Sequence, residues 1–191
     1  AEIVRVCPRA MTIPGTVGGA VYGNAGAHRS SMQQNILLAD ILHRTNGSLS
    51  LNNEQMGYSY RSSVLKREPG NAVILAARLS VEQGDAEKIK ALMSEFAARR
   101  KLTQPPGPSM GSTFKNPEGD SAGRIIDSLG LKGTRVGGIQ VSPLHANFFI
   151  NDGSGTARDY YNLILLVQGI VEEKTGIKLE LEIEMIGDWQ E

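Results

Sequence analysis

Hydrophobic and polar residues alternate most cleanly near the end of the chain. From Ile177 to Ile186, the residues Ile177, Leu179, Leu181, Ile183 and Met185 fall on one side, and Lys178, Glu180, Glu182 and Glu184 on the other. That period of two predicts a half-buried strand. Ile36 to Arg44 and Val73 to Val81 predict two more strands, and Ile3-Val4-Arg5-Val6 a short one ended by Pro8. Between Arg44 and the apolar-rich Ser48 to Leu51 stands Thr45-Asn46-Gly47-Ser48. The Asn-Gly pair predicts a hairpin with Ser48 to Leu51 as its return strand. Asn52 to Gln55 predicts a helical turn leading to Tyr60-Arg61. Gln140 to Ser142 and Asn147 to Ile150 predict short strands around a turn at Pro143 to His145.

The spacing becomes helical after Gly84. Ile89, Leu92, Met93 and Phe96 predict a helix from Ala86 to about Arg100. Asp85 stands where a cap belongs. Arg99, Arg100 and Lys101 suit the negative end of the helix. Gln104-Pro105-Pro106-Gly107-Pro108 is rigid and non-helical. Ser121 to Leu129 predicts a short helix stopped by Gly130. Ser154 or Thr156 can cap a longer one running to Lys174 and ended by Gly176. Strands and helices mix without a βαβ rhythm, so the expected class is α+β. The change of pattern near Gln83 to Asp85 predicts two domains, 1–84 and 85–191.

Composition narrows the function classes. Lysine plus arginine equals aspartate plus glutamate, 20 against 20, which leaves no basic footprint for nucleic acid or an anionic membrane. No apolar run approaches the ~20 residues needed to cross a bilayer, and no leader pattern opens the sequence. The single cysteine, Cys7, excludes an internal disulfide. The expectation is a cytoplasmic protein with no nucleic-acid or membrane partner. His28, His43 and His145 fall at no metal-ligand spacing, so no metal is expected.

Two loops hold candidate chemistry. Ile13-Pro14-Gly15-Thr16-Val17-Gly18-Gly19-Ala20 lacks the dinucleotide fingerprint spacing. Its backbone N–H groups can still face a pyrophosphate if a helix starts at Thr16 or Val17, and a tight structural turn explains it equally well. Pro108 to Pro117 contains Gly111-Ser112-Thr113-Phe114-Lys115-Asn116, too polar and glycine-broken for a core. A hydroxyl from Ser112, a guanidinium from Arg61 and a carboxylate from Glu182 can together hold a carboxylate and move one proton. Each alone reads as an ordinary surface residue. Alternation does not distinguish Glu180, Glu182 and Glu184.

Tyr58-Ser59-Tyr60-Arg61-Ser62-Ser63, Gly111 to Pro117, and Leu179-Glu180-Leu181-Glu182-Ile183-Glu184-Met185-Ile186-Gly187 resemble, in this order, the UDP-N-acetylenolpyruvoylglucosamine reductase family. So do Ile13 to Ala20, Asn24-Ala25-Gly26-Ala27, and Lys132 to Phe148. The resemblance runs from about Ile13 to Gly187 and looks like the shorter of the family's two types. It implies the second lobe of a vanillyl-alcohol-oxidase-type FAD-binding domain, followed by a smaller α+β substrate-binding domain. It also implies reduction of UDP-N-acetylglucosamine-enolpyruvate to UDP-N-acetylmuramate in bacterial cell-wall synthesis, with FAD as cofactor and NADPH as co-substrate, by a monomer.

By the same resemblance, Ile13, Pro14, Gly15, Thr16, Gly18, Gly19, Asn24 and Gly26 contact FAD. Arg61 grips the enolpyruvyl carboxylate, Ser112 protonates C2, and Glu182 steadies the intermediate. Tyr60, Lys115, Asn116 and His145 meet the substrate, Lys115 and Asn116 at the UDP phosphates.

Family members carry a further N-terminal lobe with a second phosphate loop. Only a dozen residues precede Ile13 here, so part of the flavin site and the cover of some apolar surface are expected to be missing. Gly23 and His28 replace a large apolar residue and a tyrosine. Two alternatives follow: a truncated, non-catalytic relative that binds UDP-sugar without flavin, and a flavin oxidoreductase of the same fold with another substrate.

Overall fold

The structure, a computed structural model, describes residues 15–27, 30–81 and 83–187. The expected strand at Ile3 to Val6, and Cys7, Ile13, Pro14 and His28, lie outside the described residues. The chain forms two compact units, residues 1–98 and 99–191.

Among the described residues, the first element of the first unit is helix α1 (Val17–Tyr22), capped by the Thr16 hydroxyl, which accepts the Gly19 N–H. A small antiparallel pair follows, β1 (Gly26–Ala27) and β2 (Ser30–Ser31), then a 3-10 turn at Met32–Gln34. Strands β3 (Ile36–His43), β4 (Gly47–Asn52) and β5 (Ala72–Leu79) form an antiparallel sheet in the order β4-β3-β5. The Asn-Gly signal falls where expected: His43 pairs with Gly47, and Gly47 takes the positive φ of 70° that a tight turn asks of glycine. Ile36, Ala39 and Ile41 of β3 bury against Val21 of α1, Met56, and Leu65 of α2 (Val64–Arg67). The paired Leu42 and Val73 stay on the exposed side. Ser63 accepts the Lys66 N–H to cap α2.

Helix α3 (Ala86–Thr103) starts where Asp85 Oδ1 accepts the N–H groups of Glu87 and Lys88. Its predicted apolar stripe, Ile89, Leu92, Met93 and Phe96, is the half-buried face.

The second unit packs α4 (Ala122–Ser128) and α5 (Ala157–Thr175) on the sheet β6 (Arg135–Val136), β7 (Ile139–Val141) and β8 (Phe149–Asn151), ordered β6-β7-β8. Its core joins Ile125 and Ile126 of α4, Ile139 and Val141 of β7, Phe149 of β8, and Leu163, Ile164 and Val167 of α5. Of the two expected caps for α5, Thr156 is the one used. It forms a capping box with Asp159, and Gly176 ends the helix in the left-handed conformation.

The expected strand from Ile177 to Ile186 needs correction. It makes one bridge, Phe114 to Leu181, framed by Lys115 N–H to Glu180 O at 2.8 Å and Glu182 N–H to Thr113 O at 2.9 Å. Its partner is too short to extend the ladder, because Pro117 follows closely and has no N–H to donate. The alternation survives as burial: Leu179 is buried, while Lys178, Glu180 and Glu184 are exposed.

Candidate active site

In the second unit, Phe114 determines how the Ser112 loop sits. Its pairing with Leu181 is of the type in which the flanking residues make the hydrogen bonds. The N–H and C=O of Phe114 itself therefore face the other way. There they meet the side chain of Asn147, whose Oδ1 accepts the Phe114 N–H at 2.9 Å and whose Nδ2 donates to the Phe114 O at 2.8 Å. The Asn147 backbone O also accepts the Thr113 N–H at 2.8 Å. Asn147 thus acts as a piece of strand, and it is 2% exposed. Ser112 bridges Phe148, the next residue. On α5, the Tyr160 hydroxyl lies 3.0 Å from that of the buried Thr113; burial pushes the Tyr160 phenol up. The loop bearing Ser112 is therefore held on both edges and from beneath.

This arrangement separates the three glutamates. Glu182 lies beside the Ser112 loop through its N–H to Thr113 O and is half-buried. Glu180 is exposed and pairs with Lys115 Nζ at 3.1 Å. Glu184 is exposed. The structure brings Ser112 and Glu182 onto adjoining backbone segments. It gives Lys115 an acidic partner, and Asn116 Oδ1 accepts the Ala122 N–H at the start of α4. An incoming phosphate would compete with Glu180 for Lys115.

His145 is half-buried. Its Nδ1 accepts the Asn147 N–H at 3.2 Å, which places the neutral ring's proton on Nε2. Its ring lies 4.8 Å from that of Phe148. Burial holds its pKa below the usual histidine range.

In the first unit, Tyr60 and Arg61 are the central residues of a tight loop closed by Ser59 N–H to Ser62 O and Ser62 N–H to Ser59 O, both 3.1 Å. Arg61 has φ 54°, and Asn24 has φ 48°. These are the only non-glycine residues with positive φ among the described residues. For an arginine such a backbone costs roughly 1–2 kcal/mol and persists where surrounding contacts over-determine it; asparagine adopts it more readily. The Arg61 guanidinium lies 5.3 Å from the Tyr60 ring centroid.

The flavin-facing candidates divide. Gly15 has φ 116°, with nothing among the described residues within 4 Å of where a Cβ would stand. Thr16 and Gly19 are exposed, and Gly18 is half-buried. That first turn bears little side chain, so a phosphate-bearing cofactor fits against its backbone, although Thr16 already accepts the Gly19 N–H. Asn24 and Gly26 face inward: the Asn24 amide is bonded to Ser59 and Gln33. Among the described residues no cluster of metal-binding side chains occurs, and no helix is long and apolar enough to cross a membrane.

Sequence reasoning gave no role to Asn147. Its signal was a lone amide within the apolar run Ala146-Asn147-Phe148-Phe149, since a buried polar group must find partners.

The profile of the UDP-N-acetylenolpyruvoylglucosamine reductase C-terminal domain matches residues 101–186. A UDP-N-acetylenolpyruvoylglucosamine reductase of Rubrobacter xylanophilus is 47% identical over 176 residues, covering 92% of this chain and 59% of that protein. One of Bacillus licheniformis is 44% identical, covering 92% of this chain and 96% of that protein. The crystal structure of UDP-N-acetylenolpyruvylglucosamine reductase from Thermus caldophilus matches with a TM-score of 0.80 and 37% identity, over 93% of this chain and 62% of that one. The chain thus spans about three fifths of the Rubrobacter relative and nearly all of the Bacillus one.

Proposed function

Because the chain belongs to the UDP-N-acetylenolpyruvoylglucosamine reductase family, we propose that its two units contribute to the reduction of UDP-N-acetylglucosamine-enolpyruvate to UDP-N-acetylmuramate. FAD, when bound, supplies to C3 of the enolpyruvyl group a hydride that originates in NADPH. The Gly15 to Gly19 turn would lie against its phosphates.

The chain's own residues supply position, charge and one proton. Arg61 offers a planar guanidinium for two parallel hydrogen bonds to the enolpyruvyl carboxylate. That carboxylate shares the charge that grows as C3 receives hydride, so the same contact strengthens in the transition state. Ser112 Oγ–H gives its proton to C2, completing the new C–H bond. A serine hydroxyl is a weak acid, and the enolate-like carbon facing it is basic enough to take the proton. Glu182, beside the Ser112 loop, steadies the same intermediate. Lys115 and Asn116 serve the UDP phosphates, Lys115 by exchanging Glu180 for phosphate. Tyr60 and His145 line the substrate side.

The observation that favours this reading is the pairing of the Ser112 loop with the segment of Glu182, through Glu182 N–H to Thr113 O at 2.9 Å. A hydroxyl and a carboxylate are thereby held on adjoining, firmly registered backbone. The test is Ser112→Ala in the flavin-loaded protein. Bleaching of the flavin by NADPH should continue at an unchanged rate, and its reoxidation by the enolpyruvyl substrate should fall by at least ~100-fold. Equal loss of both half-reactions, or loss of neither, refutes the proton-donor role. A colourless protein that still binds UDP-sugar refutes the flavin chemistry.

A further inference from the structure

We infer that Asn24 and Gly26 are positioning residues that set the Arg61 guanidinium for a carboxylate; the inference rests on the proposed role of Arg61.

Asn24 is 4% exposed and both ends of its amide are used. Nδ2 donates to Ser59 O at 2.8 Å, and Oδ1 accepts the Gln33 N–H at 2.9 Å. Ser59 O is also the acceptor that closes the Tyr60-Arg61 loop through Ser62 N–H. One side chain therefore ties the segment after α1 to the 3-10 turn and to the neck of the Arg61 loop. Ser63 adds a second tie from the same loop, donating to Tyr22 O at 2.6 Å.

Gly26 acts on the guanidinium itself. A Cβ placed there would stand 3.2 Å from Arg61 Nη1 and 2.7 Å from Ser30 O. The arginine head thus rests against bare backbone at Gly26, with the Tyr60 ring 5.3 Å away. Any larger residue at 26 would displace either the β1–β2 pair or the guanidinium. Asn24 fixes where the loop starts, the left-handed Arg61 backbone fixes where the side chain leaves it, and Gly26 fixes where the head lies. Such preorganisation lowers the ordering cost of gripping a planar anion.

The test is a binding cycle with two probes, UDP-N-acetylglucosamine-enolpyruvate and UDP-N-acetylglucosamine, which lacks the carboxylate. Titration calorimetry compares the unaltered protein with Arg61→Ala, Asn24→Gly, Gly26→Ala, and the double variants Asn24→Gly/Arg61→Ala and Gly26→Ala/Arg61→Ala. Glycine tolerates the φ of 48° at position 24, so Asn24→Gly removes the amide without straining the backbone and keeps the test available if Gly26→Ala does not fold. Each single variant should weaken the enolpyruvyl probe by about 10-fold, the scale of one impaired charge-assisted contact, with less than about a 2-fold change for the other probe. In the Arg61→Ala background neither should weaken it further. Equal loss for both probes, losses that add to that of Arg61→Ala, or no loss where Arg61→Ala has one overturns the inference. If Arg61→Ala itself leaves the enolpyruvyl probe untouched, or the unaltered protein binds neither probe, the role of Arg61 falls and this inference with it.

Discussion

Truncating Asn147 to alanine isolates the device that holds the Ser112 loop. The substitution deletes two hydrogen bonds and, more importantly, their partners cannot turn elsewhere. Phe114 is 0% exposed, and its N–H and C=O point away from the Leu181 segment. A buried donor or acceptor left unpaired costs about 1–3 kcal/mol. Two of them give roughly 2–6 kcal/mol, a large share of the 5–15 kcal/mol that keeps a domain folded. A water admitted into the gap would recover part of this, so the lower half of the range is expected. Urea unfolding followed by helical circular dichroism should show the transition of the second unit about 1–2 M lower, with an unchanged slope near 2 kcal/mol/M. Asn147→Asp should be at least as costly, because it replaces the donor to Phe114 O with a buried anion. Hydrogen exchange at the Phe114 amide should accelerate in both variants. A loss under ~1 kcal/mol in Asn147→Ala, with Phe114 still protected, would show that the loop is registered by Leu181 alone and would refute the argument.

Two other perturbations test different parts of the structure. The Tyr58 hydroxyl is buried without a hydrogen-bond partner among the described residues, and burial pushes its pKa up to about 12; Tyr58→Phe should therefore leave stability unchanged or raise it by up to about 1 kcal/mol, and a loss of that size in thermal or urea unfolding would mean that the hydroxyl has a partner. His145 is more easily protonated unfolded than folded, since burial lowers its folded pKa; its contribution is complete above the unfolded value of about 6.5 and is lost as pH falls through the folded value. The melting temperature of the second unit should drop on acidification from pH 7 to pH 5, and His145→Asn, which keeps an acceptor for the Asn147 N–H, should flatten that drop. An unchanged slope in the variant would assign the pH dependence to other groups.

Local signals in the sequence located most elements because the forces involved are local. The Asn46-Gly47 turn, the Asp85 cap and the Thr156 and Gly176 ends of α5 each satisfy backbone groups within a few residues, so a short window contains both partners. The strand expected at Ile177 to Ile186 fails for the complementary reason. Alternation records which side is buried, whereas a ladder needs a partner of equal length, and the three residues between Ser112 and Asn116 cannot supply one. The site shows the same division. Ser112, Arg61 and Glu182 became legible only through resemblance, since a hydroxyl, a guanidinium and a carboxylate in loops carry no local signature. Among the three glutamates resemblance alone singled out Glu182; what no local window could hold is that Lys115 pairs with Glu180 and that the Thr113 carbonyl accepts the Glu182 N–H.

Asn24 and Gly26 sharpen the point. Read in sequence, the motif Asn24-Ala25-Gly26-Ala27 belongs with the glycines before it, as part of one cofactor-facing loop. In space its amide and its bare backbone face the neck and the head of Arg61, a residue 35 positions beyond Gly26. A small residue near a site can therefore mean two things, room for a ligand or room for the side chain that holds the ligand. Only the contact a Cβ would make tells them apart. Among the described residues that Cβ would meet nothing within 4 Å at Gly15, which leaves room for a ligand, and at Gly26 it would meet Ser30 O at 2.7 Å and Arg61 Nη1 at 3.2 Å. On the proposed roles, substituting Gly15 should disturb the cofactor and substituting Gly26 the carboxylate held by Arg61.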